Sequence, residues 1–315
     1  MRGINSSSLV LLLLLFWNVI IFIYYIAKKF TRVWRVKRHN SILISFIVNA
    51  LLIIFLVYFS MAIGVTRYNI TDARIPDAFD GYKILQISDF HTASFYGGTE
   101  SLIKSVRKEK PDVIVVTGDI VDENKVNLIP VKKLVLQLVP LAPVYFVSGN
   151  HDVWYGDFTG LKKTIKELGV NLLDNRKVIL QRGSSYINLF GIGDPETWDD
   201  NSAETYLREK IKALKTDNGY NILLFHRANM FDIIKGSGIQ LVFSGHMHGG
   251  QFQLPFIGGL VSPHNHNRWF PKYTDGKWTS EGTTLIVSRG LGNNAPVPRL
   301  FNPPEVVVVT LKSKV

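Results

Sequence analysis

Lys83-Ile84-Leu85-Gln86-Ile87-Ser88-Asp89-Phe90-His91 is an apolar run that stops on Asp-x-His. The same event recurs along the chain. Val113-Ile114-Val115-Val116-Thr117 runs into Gly118-Asp119, and Val144-Tyr145-Phe146-Val147-Ser148 runs into Gly149-Asn150-His151-Asp152. Asn221–Phe225 ends on His226, and Gln240–Ser244 ends on Gly245-His246-Met247-His248. These clusters hold five of the eight His residues, leaving out His39, His264 and His266. A continuous apolar run rich in β-branched residues reads as a strand buried on both faces. The polar residues therefore collect where strands end, and side chains from several strands can meet there.

Outward from these runs, further strands are expected at Tyr186–Ile192, Thr284–Ser288 and Glu305–Leu311. Helical patterns fall at Glu100–Lys110, Leu128–Leu138, Leu161–Leu168, Glu204–Leu214 and Met230–Lys235, with Gly169 as a stop. Strands alternating with helices predict an α/β domain. The later strands come with fewer helices, which predicts a second sheet packed on the first.

The first fifth or so of the chain, residues 1–69, has a different character. Leu9–Ala27 and Ile42–Val65 are almost unbroken hydrocarbon, each long enough for the ~20 residues a membrane helix needs. The first is too long for a signal-peptide core and no small-x-small cleavage site follows it. Between them, Lys28, Lys29, Arg32, Arg35, Lys37 and Arg38 form a basic loop expected to stay cytoplasmic, which places the rest of the chain outside the cytoplasm. The expected organisation is a two-helix membrane anchor over 1–69, a tether over 66–81 and one domain over 70–315. The formal charge of +11 resides mostly in the anchor: residues 1–69 have eight Lys or Arg and no acid, leaving 28 basic against 25 acidic residues elsewhere. So even a balance argues against a groove for long polyanions such as nucleic acid.

The polar clusters carry metal chemistry. Asp89 and His91 are two apart, as are His246 and His248, so on extended backbone each pair would point one way. Glycines at 118, 149 and 245 permit sharp exits and leave space beside a bound anion. With no Cys in the chain, the donors are imidazole, carboxylate and one amide, a set suited to Mn, Fe, Zn, Co or Ni rather than Ca or Mg. Any one cluster alone is an ordinary turn; the ordered set is the signal.

In that order, Asp-x-His, Gly-Asp, Gly-Asn-His-Asp, His and Gly-His-x-His, the chain resembles the calcineurin-like metallophosphoesterases, over about 83–312. Gly245-His246-Met247-His248-Gly249-Gly250-Gln251 and Ser288-Arg289-Gly290-Leu291-Gly292 are similar to a membrane-associated bacterial branch that includes the YkuE and YaeI phosphodiesterases. The resemblance implies a four-layer α/β/β/α sandwich with two divalent metal ions, Mn, Fe or Zn, at the strand ends. It implies Asp89, His91 and His248 at one metal, Asn150, His226 and His246 at the other, and Asp119 bridging. It implies hydrolysis of a phosphoester by an activated water between the ions, with His151 giving a proton to the leaving oxygen. Asp152 either orients His151 or is structural.

The function expected is a membrane-anchored phosphodiesterase or pyrophosphatase acting on a lipid or cell-envelope precursor. A nucleotide or nucleic-acid phosphodiesterase and a non-catalytic metal-binding scaffold are the alternatives. Protein partners are not legible. Arg227 is expected to face solvent, or else to add a phosphate contact; Gln251 and Arg289 are weaker phosphate candidates. Leu254–Val261 reads as a loop near the centre.

Overall fold

The structure is a computed structural model. It describes residues 63–314 apart from 94–97, 125–126, 198, 215–218, 255–257, 262–268, 295–298 and 300, together with Trp17, Val19, Ile20, Ile23, Tyr24, Phe46, Ile47, Ala50 and Leu51.

Two sheets face each other. The first has the order β1-β14-β2-β3-β4-β5, from strands β1 Gly64–Asp72, β2 Lys83–Ile87, β3 Val113–Thr117, β4 Val144–Val147, β5 Asn171–Leu172 and β14 Glu305–Ser313. The second has the order β12-β13-β9-β8-β7-β6, from β6 Arg176–Arg182, β7 Ser185–Ile192, β8 Asn221–Arg227, β9 Leu241–Gly245, β12 Gly276–Ser280 and β13 Thr283–Val287. A two-stranded ribbon, β10 Gln253–Leu254 and β11 Gly258–Gly259, follows the last His cluster. The described helices are α1 Gly98–Glu109, α2 Ile129–Leu138, α3 Asn150–Trp154, α4 Phe158–Glu167, α5 Asp200–Ala213 and α6 Phe231–Ile234.

Three apolar layers bind these elements into the four-layer sandwich. Ile84, Val113, Val115, Leu224, Phe243 and Val307 pack between the sheets. Ile114, Val116 and Val306, on the other face of the first sheet, meet Leu102 and Val106 of α1 and Leu134 and Leu138 of α2. Phe190, Leu223 and Val242 do the same for the second sheet against Leu207 of α5 and Phe231 of α6. This explains why β3 and β9 are buried throughout and begin as unbroken apolar runs: both faces of each are covered. Helix starts are fixed by side chains, Asp157 accepting from Gly160 N at α4 and Asp199 from Ser202 N at α5.

The expected strands and helices are all present within a few residues of the expected bounds. The tether is not. Residues 64–72 are strand β1, hydrogen-bonded in parallel to β14 with Gly64 opposite Glu305. Its Tyr68 and Ile70 pack into the core between the sheets, while Val65 packs on the helical side. Phe79, also assigned to the tether, is fully buried. The folded domain therefore starts at Gly64, inside the stretch read as the second apolar span.

Apart from that end and the nine residues named above, 9–27 and 42–65 lie outside the described residues. Those nine are helical, and Trp17, Val19, Ile23, Tyr24, Phe46, Ile47 and Leu51 expose their side chains. Among the described residues no helix is long and apolar enough to cross a membrane.

Candidate metal centre

β2, β3 and β4 run parallel in the first sheet and β8 and β9 run parallel in the second, and the donors at their C-terminal ends meet at one end of the molecule. Their exits bring the polar clusters together. Asp89, His91, Asp119 and His248 form one group of buried donors, and Asp119, His226 and His246 form a second; within each group the donor atoms lie within 4.8 Å of one another. Asp119 belongs to both. Its Oδ2 is 3.7 Å from His91 Nε2 on one side and 3.1 Å from His226 Nε2 on the other. His91 Nε2 and His248 Nε2 are 3.2 Å apart, and the rings of His226 and His246 sit edge to face at 5.0 Å.

The pairs do not converge by pointing one way from extended backbone. Asp89, His91, Asp119, His246 and His248 have φ of 50°, 46°, 53°, 73° and 48°. Left-handed backbone at a residue with a side chain is uncommon and costs ~1–3 kcal/mol. Here it coils each strand exit inward. Nor do the glycines make room for an anion. A Cβ on Gly149 would fall 2.3 Å from Asp119 Oδ1, and one on Gly118, whose φ is +85°, would fall 2.6 Å from His226 Nδ1. The space is taken by the donors themselves.

Hydrogen bonds aim the donors. His226 Nδ1 donates to Thr117 O at 2.7 Å, which turns Nε2 toward Asp119. Asp119 Oδ1 accepts from His151 N at 2.8 Å, leaving Oδ2 toward the cluster. Asn150 Oδ1 is buried with no hydrogen-bond partner among the described residues, and the buried Asp119 Oδ2 and His226 Nε2 face each other at 3.1 Å. A buried polar atom is seldom left without a partner, and a bound cation would satisfy Asn150 Oδ1 as well as the Asp119–His226 pair. Burial keeps His91 neutral, its pKa pushed down to about 3, and burial together with Arg299 holds His248 well below the imidazole range. Burial works against charge on Asp119 and His226, yet their mutual attraction holds the carboxyl low and the imidazole high. Neutral His91 and His248 beside the ionised Asp119 carboxylate make a donor set for divalent metal, and His226 would release its proton to join them when an ion binds.

His151 lies at the rim. Its ring meets His91 edge to face at 4.8 Å, its Nδ1 pairs with Glu123 Oε2, and its Nε2 is 2.6 Å from Asn294 Nδ2. Burial opposes its protonation, but Asp119 and the hydrogen bond the ring donates to Glu123 raise its pKa above the ordinary value. Asp152 does not orient it. The Asp152 carboxylate is fully buried and accepts from the backbone N–H of Asp119, Ile120, Val121 and Gly149 at 2.8–3.2 Å. It fastens the exit of β3 to that of β4. Glu123, which does reach His151, was missed because it is one acid in a run of two, Asp122-Glu123, with nothing local to single it out.

Arg227 faces neither solvent nor the cluster. It is buried and paired through Nε and Nη2 with Asp194, both at 2.7 Å. Arg289 is likewise committed, its Nη2 bonding Glu305 at 2.6 Å. Arg299 was not foreseen. It is buried, donates to Arg289 O at 2.6 Å, and holds Nη2 2.9 Å from His248 Nδ1. Asn302 donates to His248 O at 2.6 Å.

A fold of two facing sheets with paired donor groups at the strand ends defines a dinuclear metallohydrolase frame, and the comparisons place the chain within one. Residues 82–250 match the calcineurin-like phosphoesterase family, and the chain belongs to that family. It is 30% identical over 271 residues to the uncharacterized metallophosphoesterase YkuE of Bacillus subtilis (strain 168), covering 80% of this chain and 86% of that one. It is 25% identical to the phosphodiesterase YaeI of Escherichia coli (strain K12), covering 73% and 82%. It is 27% identical to a transmembrane protein with metallophosphoesterase domain of Danio rerio, covering 76% and 55%. Membership makes the chain a metal-dependent phosphoester hydrolase of a family that uses two divalent metals.

Proposed function

We propose that the chain is a membrane-anchored phosphodiesterase or pyrophosphatase acting on a lipid-linked or envelope-precursor phosphoester outside the cytoplasm. The observation that carries the reading of the centre is the Asp119 carboxylate shared between two donor groups. Asp89, His91 and His248 would hold one ion, and Asn150, His226 and His246 the other. The imidazole–carboxylate set without thiolate favours Mn, Fe or Zn. When bound, two such ions supply charge to the phosphoryl oxygens and an activated water.

The chain's own groups do the rest. Asp119 offsets cationic charge on both sides at once. Thr117 O fixes the His226 tautomer. His151, its basicity raised beside Glu123, gives a proton to the leaving oxygen as the phosphorus–oxygen bond breaks, and Glu123 holds the ring for that transfer. Anchoring is supported by the two long apolar stretches, by the exposed apolar side chains of their described helical residues, and by the name of the Danio rerio relative. The six-residue basic loop supports an extracytoplasmic domain.

The test is hydrolysis by the full chain, loaded in turn with Mn, Fe and Zn, of bis-p-nitrophenyl phosphate and of a panel of lipid, nucleotide and sugar-nucleotide phosphoesters. Lipid-linked substrates should be preferred. Preference for free nucleotides would replace the substrate reading, and no hydrolysis with any metal would refute the enzyme reading.

A further inference from the structure

The chain reaches the domain at the metal-centre end. β2 delivers Asp89 from its C-terminus; β14 runs antiparallel to β2, with Val307 opposite Gln86, and β1 runs parallel to β14, with Gly64 opposite Glu305. Gly64, the first residue of β1, therefore lies at the same end as Asp89. The connection is short. Gly64 N donates to Pro304 O at 2.8 Å, and the loop before Pro304 donates from Leu291 N to Ser88 O at 3.0 Å and from Gly292 N to Asp89 O at 2.6 Å. No polar spacer separates this point from the apolar stretch, whose sequence Phe59-Ser60-Met61-Ala62-Ile63 runs straight into Gly64.

The same end carries large exposed aromatic side chains. Trp269 and Phe270 are 65% and 67% exposed, and Phe301 is 48% exposed. Phe270 N bonds Leu260 O, and Leu260 N bonds Gly250 O, two residues after His248. Phe301 sits between Arg299 and Asn302, which touch His248 through its ring and its carbonyl oxygen. Aromatic side chains left in water on a chain about to enter hydrocarbon are what a bilayer interface receives.

We propose that the metal-centre end is the membrane-facing end of the domain, with Trp269, Phe270 and Phe301 seated in the headgroup region, so that the centre opens onto phosphoesters carried by lipids in the bilayer. This rests on the anchored reading above and adds an orientation to it. The substrate phosphate would reach the centre without leaving the membrane surface, and water-soluble esters would have to enter from the side.

The absence of Cys allows single labels on the full chain in nanodiscs of phosphatidylethanolamine and phosphatidylglycerol. An environment-sensitive fluorophore is placed on Phe270→Cys, Phe301→Cys or Ala78→Cys. Ala78 is exposed and lies past the far end of β1, about 30 Å away at ~3.3 Å per residue. Nitroxide-labelled lipid should quench the fluorophore at 270 and 301 and spare the one at 78; no quenching at 270 and 301, or equal quenching at all three positions, overturns the proposal. Separately, a variant combining Trp269→Ser, Phe270→Ser and Phe301→Ser should lose about tenfold in hydrolysis of a fluorescent phosphatidylglycerol in the same nanodiscs, about 1.4 kcal/mol in barrier. Its rate on bis-p-nitrophenyl phosphate should hold, which also shows that it folds. Equal losses on both substrates overturn the proposal. If the wild-type chain hydrolyses neither ester, the enzyme reading fails, and the quenching result still decides the orientation.

Discussion

At Asp119 one oxygen is anchored and the other is open: Oδ1 takes the His151 N–H, and Oδ2 stands between His91 and His226. Asp119→Asn should therefore weaken both metal sites together, with less than one ion per chain by elemental analysis; two tightly bound ions in the variant would contradict the bridge. His151 and Glu123 act as a couple. His151→Gln should retain both ions but lose about 10²-fold in rate on an alkoxide-leaving diester, with a smaller loss for nitrophenolate, which departs without a proton. Glu123→Gln should shift in the same direction, and the double variant should be no slower than His151→Gln alone. Additive losses would separate the two residues. Asp152 belongs to stability. Replacing it with Ala leaves four backbone N–H groups short of their acceptor, at ~1–3 kcal/mol for each that stays unmet. A loss of about 3 kcal/mol lowers Tm by about 6–12 °C at ~2–4 °C per kcal/mol; an unchanged Tm with slowed turnover would return Asp152 to an orienting role.

Among the elements, β1 decides how the domain meets whatever precedes it. Ile70 is buried between the sheets, so Ile70→Ala should cost about 2 kcal/mol, the lower end for a core Ile, read from denaturant midpoints. A free tether would show a change within ~0.5 kcal/mol. This strand was illegible in the sequence for a physical reason. Gly64–Asp72 bonds to a strand some 240 positions later, and no local pattern reports such a partner; the preceding hydrocarbon run also masks where it starts. β6, Arg176–Arg182, is mostly exposed at a sheet edge, and its apolar run is only Val178-Ile179-Leu180 between charged and polar flanks. By contrast β2, β3, β4 and β9 were legible because burial on both faces demands continuous apolar residues. The seven donors were legible because they interrupt those runs. What stayed hidden were the long-range polar partners, Glu123 on His151, Asp194 on Arg227 and Arg299 on His248, which share no sequence neighbourhood with the groups they serve.

At the scale of the whole molecule, two half-sandwiches each contribute donors, Asp89, His91, Asp119 and Asn150 from the first sheet and His226, His246 and His248 from the second. An ion held by donors from both would join the sheets, and its removal should loosen them. Chelation should abolish hydrolysis and lower Tm, since a ligand at about 100 times its Kd adds ~2.7 kcal/mol to the folded state; an unchanged Tm after verified metal removal would argue that the centre bears no load. The central claim is a pair of ions sharing Asp119 and serving hydrolysis. Its most direct test is to titrate Mn into the chelated full chain while counting bound ions and following bis-p-nitrophenyl phosphate cleavage in the same samples. Two ions per chain, with activity rising as the second site fills, is the predicted result. Saturation at one ion, or full occupancy by two without cleavage, would contradict it.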